Sequence, residues 1–299
     1  MDRSAVVDWV SGSTAEGLRL SQAKALAWIV AAALRVTQAT LPSLAIKSSG
    51  KTALKHKIKR LDRFLANDLV TPADAFAPFA KKILHRHRKN KRLTIAFDWT
   101  KFNGMHTLAL VVVFGTRSVP LLWESVAEAG LFHGQSRRER EMLSALRAWL
   151  PADRKVTILA DRGFGKTDLA RHCQELGLDY LIRIKPDVKI ACDKHTGLLR
   201  TYPLRVGQKH VLRRVRFRKN HPVVHQVVVC GRAKENWYLM TSLNAGAVRL
   251  IALYGKRMSI EETFRDHKST RSGFCLSNTQ LCKPAKLDRL LLVLAIALL

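Results

Sequence analysis

The residues best equipped for chemistry lie near the end of the chain, in Tyr254-Gly-Lys-Arg257-Met-Ser-Ile-Glu261-Glu-Thr-Phe-Arg-Asp-His-Lys268. If this segment is one helix at 100° per residue, Tyr254, Arg257, Glu261 and Lys268 share an arc of about 60°. Leu253, Ile260 and Phe264 lie beside that arc and can seat the helix on a core. Guanidinium and ammonium groups suit phosphate oxygens, and a carboxylate among them suits a metal ion. A solvated face with an ordinary Arg257–Glu261 ion pair would explain the same spacing. Glu262 rivals Glu261 but sits about 80° round the helix from Tyr254.

Two aspartates close short apolar runs. Asp98 ends the apolar part of LTIAFDWT (93–100), and Asp161 follows VTILA (156–160). Taken singly, each is explained by a turn or a loop cap.

Charge points to the substrate class. The 299 residues include 52 Lys plus Arg against 23 Asp plus Glu, a formal charge of +29. That favours a polyanionic partner, nucleic acid first, although a membrane surface or a ribosomal neighbour would satisfy charge alone. Lys51, Lys55, Lys57, Lys59, Arg60 and Arg63 crowd one stretch, and a second basic run spans Lys81 to Arg92. Arg214, Arg216 and Arg218 alternate with Val215 and Phe217, so in a regular strand three guanidinium groups share one exposed face. The five cysteines include no C-x-x-C pair, which predicts free thiols in a reducing cytoplasm and argues against a zinc cluster. Ala25–Leu34 and Leu290–Leu299 are apolar but fall short of the ~20 residues of a spanning helix. The second stops mid-stripe at Leu299, which reads as a truncation or as a protein that naturally continues.

The elements that must position these groups follow from periodicity. Residues 1–85 read as helices, with Ser21 a candidate cap and an amphipathic stripe of Leu54, Ile58, Leu61 and Leu65. Runs 93–100, 106–114 and 118–126, separated by Asn103–Gly104 and Gly115, predict a three-stranded meander. A helix over 136–150, a strand over 156–160, a helix over 167–176 and a strand over 179–185 follow. Residues 186–235 are strand-rich and basic, and 236–243 reads as a return to the main sheet. The expected class is α/β, a mixed sheet flanked by helices. It divides into an N-terminal helical region at 1–90, a discontinuous core at 91–185 and 236–299, and a β-rich basic insertion at 186–235.

The spacing Tyr-x2-Arg-x3-Glu-x6-Lys resembles the signature of bacterial insertion-sequence transposases of the "IS-four" type. LTIAFDWT resembles the strand carrying that family's first Asp. ILADRGF resembles the second, with Asp161-Arg162-Gly163-Phe164 as its motif, and KHKIKRLDRFLAN (55–67) resembles the N-terminal region. The resemblance spans about residues 50–299. It implies an RNase H-like core with a β insertion between the second Asp and the Glu. It implies a catalytic and metal-binding triad of Asp98, Asp161 and Glu261 holding Mg²⁺, two ions, with Mn²⁺ able to substitute. Tyr254, Arg257 and Lys268 would grip DNA, with Arg162, Arg214, Arg216, Arg218, Lys55, Lys57, Lys59 and Arg60 as further contacts. The implied substrates are double-stranded terminal inverted repeats and target DNA, bound by a homodimer in the cytoplasm, nucleoid-associated when on DNA. Many relatives carry Trp where this chain has Met258, so base capture at that position is not expected here.

Other readings rank lower. Residues 160–167 imitate a phosphate-binding loop, but Ala160 replaces its first Gly and Asp161 would place negative charge in the cradle. His85, His87, His221 and His225 lack a Cys partner and read as surface or DNA-facing residues. The competing functions are a truncated, inactive DNA-binding relic and a stand-alone RNase H-like nuclease.

Overall fold

The computed structural model describes residues 3–13, 17–86, 92–131, 134–217, 225–269 and 274–299. The N-terminal helices are α1 (Arg3–Ser13), α2 (Leu20–Ala33), α3 (Leu41–Lys47), α4 (Leu54–Leu65) and α5 (Pro72–Arg86). Helix α2 starts one residue before Ser21. Its first turn is closed by the Gln22 side chain, which accepts a 2.9 Å bond from the Arg19 N–H. Helix α4 follows its apolar stripe, burying Leu61, Phe64 and Leu65 and turning Lys55, His56, Lys59, Arg60 and Arg63 outward.

Period-2 alternation then builds a sheet. Strands β1 (Arg92–Phe102), β2 (Met105–Phe114) and β3 (Arg117–Ala127) form the antiparallel meander. Asn103 and Gly104 both take positive φ, 48° and 74°, the conformation that matches a two-residue turn to the twist of the strands. The chain continues through α6 (Glu128–Leu131), α7 (Gln135–Trp149), β4 (Lys155–Ala160), α8 (Thr167–Glu175) and β5 (Asp179–Arg183). β4 lies parallel to both β1 and β5. Next come β6 (Lys189–Cys192) and β7 (His195–Leu198), a separate pair, then β8 (Lys209–Val215), β9 (His225–Cys230) and β10 (Trp237–Thr241). The main sheet has eight strands in the order β3-β2-β1-β4-β5-β10-β9-β8. Thus β8 and β9 extend the main sheet through β10, while β6 and β7 stand apart from it.

Regular alternation fails at one predicted point. The β8–β9 register shifts between Leu212 and Val215, and Arg214 takes φ 53°. Arg213 and Arg214 are both exposed there, with Leu212 and Val215 buried on either side. The bulge places two consecutive arginines at the surface, where a regular strand would alternate them. Arg216 is exposed and bridges to Ala191 beyond the bulge; Arg218 lies outside the described residues.

Helices α9 (Ala247–Gly255), α10 (Met258–Lys268) and α11 (Pro284–Ala297) complete the chain. Helix α11 is buried at nearly every position from Leu287 to Ile296 and touches α2, α4, α5 and β3. Its Arg289 is buried, yet satisfied: it donates 3.0 Å bonds to the carbonyls of Val70 and Leu65 and pairs with Asp68. The N-terminal helices are thereby fastened to the helix that lies on the sheet.

Candidate active site

Strand parity decides where the two aspartates point. Ile95 and Phe97 of β1 belong to the large core, whereas Ala96 packs with Ala109, Val111, Ile260 and Phe264 under α10. Asp98 shares the parity of Ala96 and projects to the α10 side. In β4, Ile158 and Ala160 join the large core, and Leu159 packs under Tyr254 of α9. Asp161 shares the parity of Leu159. Phe97 of β1 is in register with Ala160 of the parallel β4, so the next residues, Asp98 and Asp161, lie side by side at the strands' C-terminal ends. Alternation plus register thus brings two carboxylates from distant sequence to one face.

The covering element differs from the single helix expected. It breaks after Gly255, and α10 begins at Met258. Lys256 and Arg257 are tied by three-residue bonds, Lys256 N–H to the Leu253 carbonyl at 3.1 Å and Arg257 N–H to that of Tyr254 at 2.9 Å. The junction lets α9 pack on one patch of the sheet and α10 on the next. Arg257 sits at the joint and spans two carboxylates, with Nη1 3.1 Å from Asp98 Oδ2 and Nη2 bonded to Glu261 Oε1. The Arg257 and Asp98 side chains are only 11% and 15% exposed, whereas Glu261 is 43% exposed at the mouth. Glu262 instead pairs with Arg265 on the outer side.

Burial, then the neighbouring charge of Asp161, pushes the Asp98 carboxyl up to about 7; Arg257 and the Trp99 N–H oppose the rise. Asp161 is held by its own loop: its Oδ1 accepts the Gly163 N–H at 2.7 Å and caps the 3₁₀ turn Arg162–Phe164. Among the described residues no three His, Cys, Asp or Glu side chains converge closely enough to share an ion in this arrangement. Arg257 provides the positive charge between Asp98 and Glu261. Burial is the larger cause of the raised Asp98 value, and the charge of Asp161 adds to it. An all-oxygen donor set of this kind fits a hard divalent cation.

A family described as "Transposase DDE domain" matches residues 89–299. The chain belongs to that family. No curated protein matches the sequence. Membership makes this a transposase-type enzyme acting on DNA, in a family that generally uses divalent metal ions. No helix among the described residues is long and apolar enough to cross a membrane.

In this DDE domain Lys268 lines the same cleft of about 620 Å³ as Asp98, Glu261 and Arg265, and its ammonium lies 5.3 Å from the Phe102 ring. Tyr254 is buried rather than open to solvent. Its ring meets Trp237 edge-on at 5.2 Å, and the Arg257 guanidinium lies 5.9 Å from it. Burial pushes its phenol up to about 12. Arg162 is exposed and pairs with Glu235 at 3.0 Å; Glu235 also holds Arg183 at 2.7 Å. Lys55, Lys59 and Arg60 are exposed on α4, with Arg60 stacked 4.3 Å from the Trp28 ring. Lys57 is drawn inward to the Ser48 carbonyl at 3.0 Å. His87 and His221 lie outside the described residues, and His225 is buried against Tyr180.

Sequence reasoning missed Glu139 of α7. It is 1% exposed, accepts the Trp99 indole N–H at 3.1 Å, and leaves Oε2 without a hydrogen-bond partner among the described residues. Burial raises its carboxyl above the ordinary range, opposed mainly by the Trp99 bond. Trp99 adjoins Asp98 in the strand, so Glu139 anchors the residue beside the site from the opposite face. The signal was available: Glu139 falls on the inward stripe of Met142, Leu143 and Leu146, where an apolar residue is expected.

Proposed function

We propose that this chain cuts DNA at the ends of a mobile element and joins the freed ends to target DNA, with Asp98, Asp161 and Glu261 as the catalytic triad. The observation that carries the reading is the placement of Asp98 and Asp161 at adjacent parallel strand ends, beside a helix whose Glu261 lines one cleft with Asp98. The core is read as RNase H-like, spanning 91–185 and 236–299, with 186–235 as its basic insertion and 1–90 as a DNA-binding region. The assignment to the "IS-four" type rests on the Tyr254, Arg257, Glu261 and Lys268 spacing.

The three carboxylates would hold Mg²⁺, two ions, or Mn²⁺ in its place. When bound, the ions activate the attacking water and stabilise the oxygen that leaves. The residues do the rest. Water adds to phosphorus as the P–O3′ bond breaks, giving a 3′-OH and a 5′-phosphate. That 3′-OH then attacks a target phosphodiester, forming one P–O bond as another breaks. Asp98 must be ionised to become a ligand, and its raised value makes a cation compete with a proton below about pH 7. Arg257 orients Asp98 and Glu261 with a planar fork, and Lys268 faces the same cleft to meet a phosphate oxygen. Tyr254 supports Arg257 from beneath. Lys55, Lys57, Lys59, Arg60, Arg162, Arg214, Arg216 and Arg218 supply further contacts to the backbone. A homodimer pairing two inverted repeats in the cytoplasm, nucleoid-associated on DNA, completes the reading.

The test is cleavage of a duplex carrying the element's terminal repeats in Mg²⁺. Asp98→Ala, Asp161→Ala and Glu261→Gln should each abolish cutting while leaving duplex binding in EDTA intact. Cutting at the wild-type rate by all three variants refutes the triad.

A further inference from the structure

The face that carries Asp98 and Asp161 continues onto β5 and β10. Leu181 and Leu239 pack under α9 together with Leu159, so Arg183, which shares the parity of Leu181, projects to that face. Ala160 is in register with Ile182 of the parallel β5, and the residues that follow, Asp161 and Arg183, therefore lie side by side. Arg257 is the cation between Asp98 and Glu261, whereas Arg183 stands on the other side of Asp161. Its side chain is only 18% exposed, and its guanidinium lies 5.9 Å from the Trp237 ring. Arg162, next after Asp161 in the chain, reaches the same point from the turn.

Both guanidinium groups end on one carboxylate. Arg183 Nη2 lies 2.7 Å from Glu235 Oε2, and Arg162 Nη1 lies 3.0 Å from Oε1. Each oxygen takes one donor, an arrangement that two oxygens of a phosphate can reproduce. Among the described residues neither arginine pairs with another acid, so two positive charges share one negative charge. The hydrogen bond from Arg183 holds the Glu235 carboxyl below its ordinary range, which keeps it an anion. Glu235 belongs to the loop between β9 and β10, and that loop is firmly rooted. A Cβ at Gly231 would meet the Arg205 carbonyl oxygen at 1.9 Å, and the Gly231 N–H donates to the Gln208 carbonyl at 2.9 Å. The Arg232 N–H donates to Asn236 Oδ1 at 3.1 Å, and the Arg232 guanidinium stacks 4.0 Å from the Trp237 ring. Glu235 itself is 50% exposed, and exposed ion pairs contribute little to stability. A carboxylate is thus held at a fixed place, and exchanging it for another anion costs the fold little.

We infer that Arg183 and Arg162 form a subsite for a DNA backbone phosphate beside the one at the carboxylates, that Glu235 fills this subsite in the free chain, and that DNA displaces it. The inference rests on the proposed DNA substrate and deepens it, because it adds Arg183 to the site and gives both arginines a competitor built into the chain. A phosphodiester is an anion brought up to three carboxylates. Arg183, about one strand spacing of 4.8 Å from Asp161, offsets that repulsion on the side of Asp161 away from Arg257.

The test is fluorescence anisotropy in EDTA, where no metal-dependent cutting occurs, with a labelled duplex of about 30 base pairs carrying the element's terminal repeat. Glu235→Gln frees both arginines, so it should tighten binding by about threefold or more and steepen the salt dependence. In a background of Arg162→Gln with Arg183→Gln, the same change should alter affinity by less than about 1.5-fold. Glu175→Gln, which removes an acid paired with Arg171 on a helix packed against the opposite face, should do no more than that in the wild type. Arg183→Lys keeps the charge but not the fork and should weaken binding by about threefold. Equal tightening in both backgrounds, or from Glu175→Gln, would reduce the effect to general charge and overturn the inference. So would no tightening by Glu235→Gln, or wild-type affinity in Arg183→Lys. Neutral methylphosphonate linkages placed one at a time in the duplex supply a readout without the arginine variants. The gain from Glu235→Gln should vanish at a linkage beside the cut, and a gain that survives at every linkage refutes the subsite. Because binding is read without cleavage, the subsite can fail while the triad stands, or survive if the triad fails.

Discussion

Replacing Asp98 by Asn tests the electrostatics of the site directly. Asp98 titrates at about 7 in the folded chain against its ordinary 3.8. Its side chain is only 15% exposed, so solvent screening is weak. Below 3.8 both folded and unfolded chains carry the proton, and the group contributes nothing. Between the two values the unfolded chain ionises first, so stability falls as pH rises, and the full loss is reached above 7. At about 1.4 kcal/mol per pH unit, the raised value costs the metal-free fold about 4 kcal/mol at pH 8 and roughly 1–2 kcal/mol at pH 5. The attraction to Arg257 is already included in the raised value. Asp98→Asn removes the titration and should stabilise the chain in EDTA by about that much, more at pH 8 than at pH 5. Urea unfolding of both proteins at the two pH values measures the difference. An equal gain at both pH values, or a loss at pH 8, would show that Asp98 is not held protonated by burial and by Asp161.

At pH 8, saturating Mg²⁺ should raise the melting temperature of the wild type and leave Asp98→Asn unchanged, as expected of a ligand that binds only the folded state; equal shifts would place the ion elsewhere. Arg257→Ala should lower cleavage by about 10²-fold, and Arg257→Lys should recover little of it, because an ammonium cannot span Asp98 and Glu261 as the fork does. Gly165→Ala puts a methyl group 2.8 Å from the Arg183 carbonyl oxygen, so urea unfolding should show a loss of about 1–3 kcal/mol; a cost near zero would mean the loop is not pressed against β5. Arg289→Met strips two carbonyls, those of Val70 and Leu65, of their donor and should cost about 2–4 kcal/mol, with faster proteolysis between α4 and α5.

Much of the site was legible because its cause is local periodicity. The alternation in LTIAFD and VTILAD fixes which face each aspartate takes, and the helical spacing from Arg257 to Glu261 survives intact within one pair of turns. What was not legible depends on longer-range packing. Nothing in Tyr254-Gly-Lys-Arg257 requires a break: the junction exists because α9 and α10 rest on separate patches of the sheet, Leu159, Leu181 and Leu239 for one, Ala96, Ala109 and Val111 for the other. The break turns Tyr254 into a buried support for Arg257. The bulge at Arg213 and Arg214 is equally a product of strand pairing, since the alternating sequence is compatible with a regular strand. Glu139 was missed for another reason: a carboxylate on an apolar stripe reads as noise until its partner, Trp99, is seen 40 residues away.

The buried Arg289 clamp also orders events in time. Its carbonyl partners lie 219 and 224 residues earlier in the chain. At about 5–20 residues per second, synthesis adds the donor roughly ten to forty-five seconds after it adds the acceptors. Until then α2, α4 and α5 lack the apolar helix that fills the space between them and the sheet. Such distant contacts form late and slow folding. The nascent chain therefore exposes its basic α4 before the face that carries the candidate carboxylates is complete, and on the proposed function an incomplete chain would meet DNA before it could act on it.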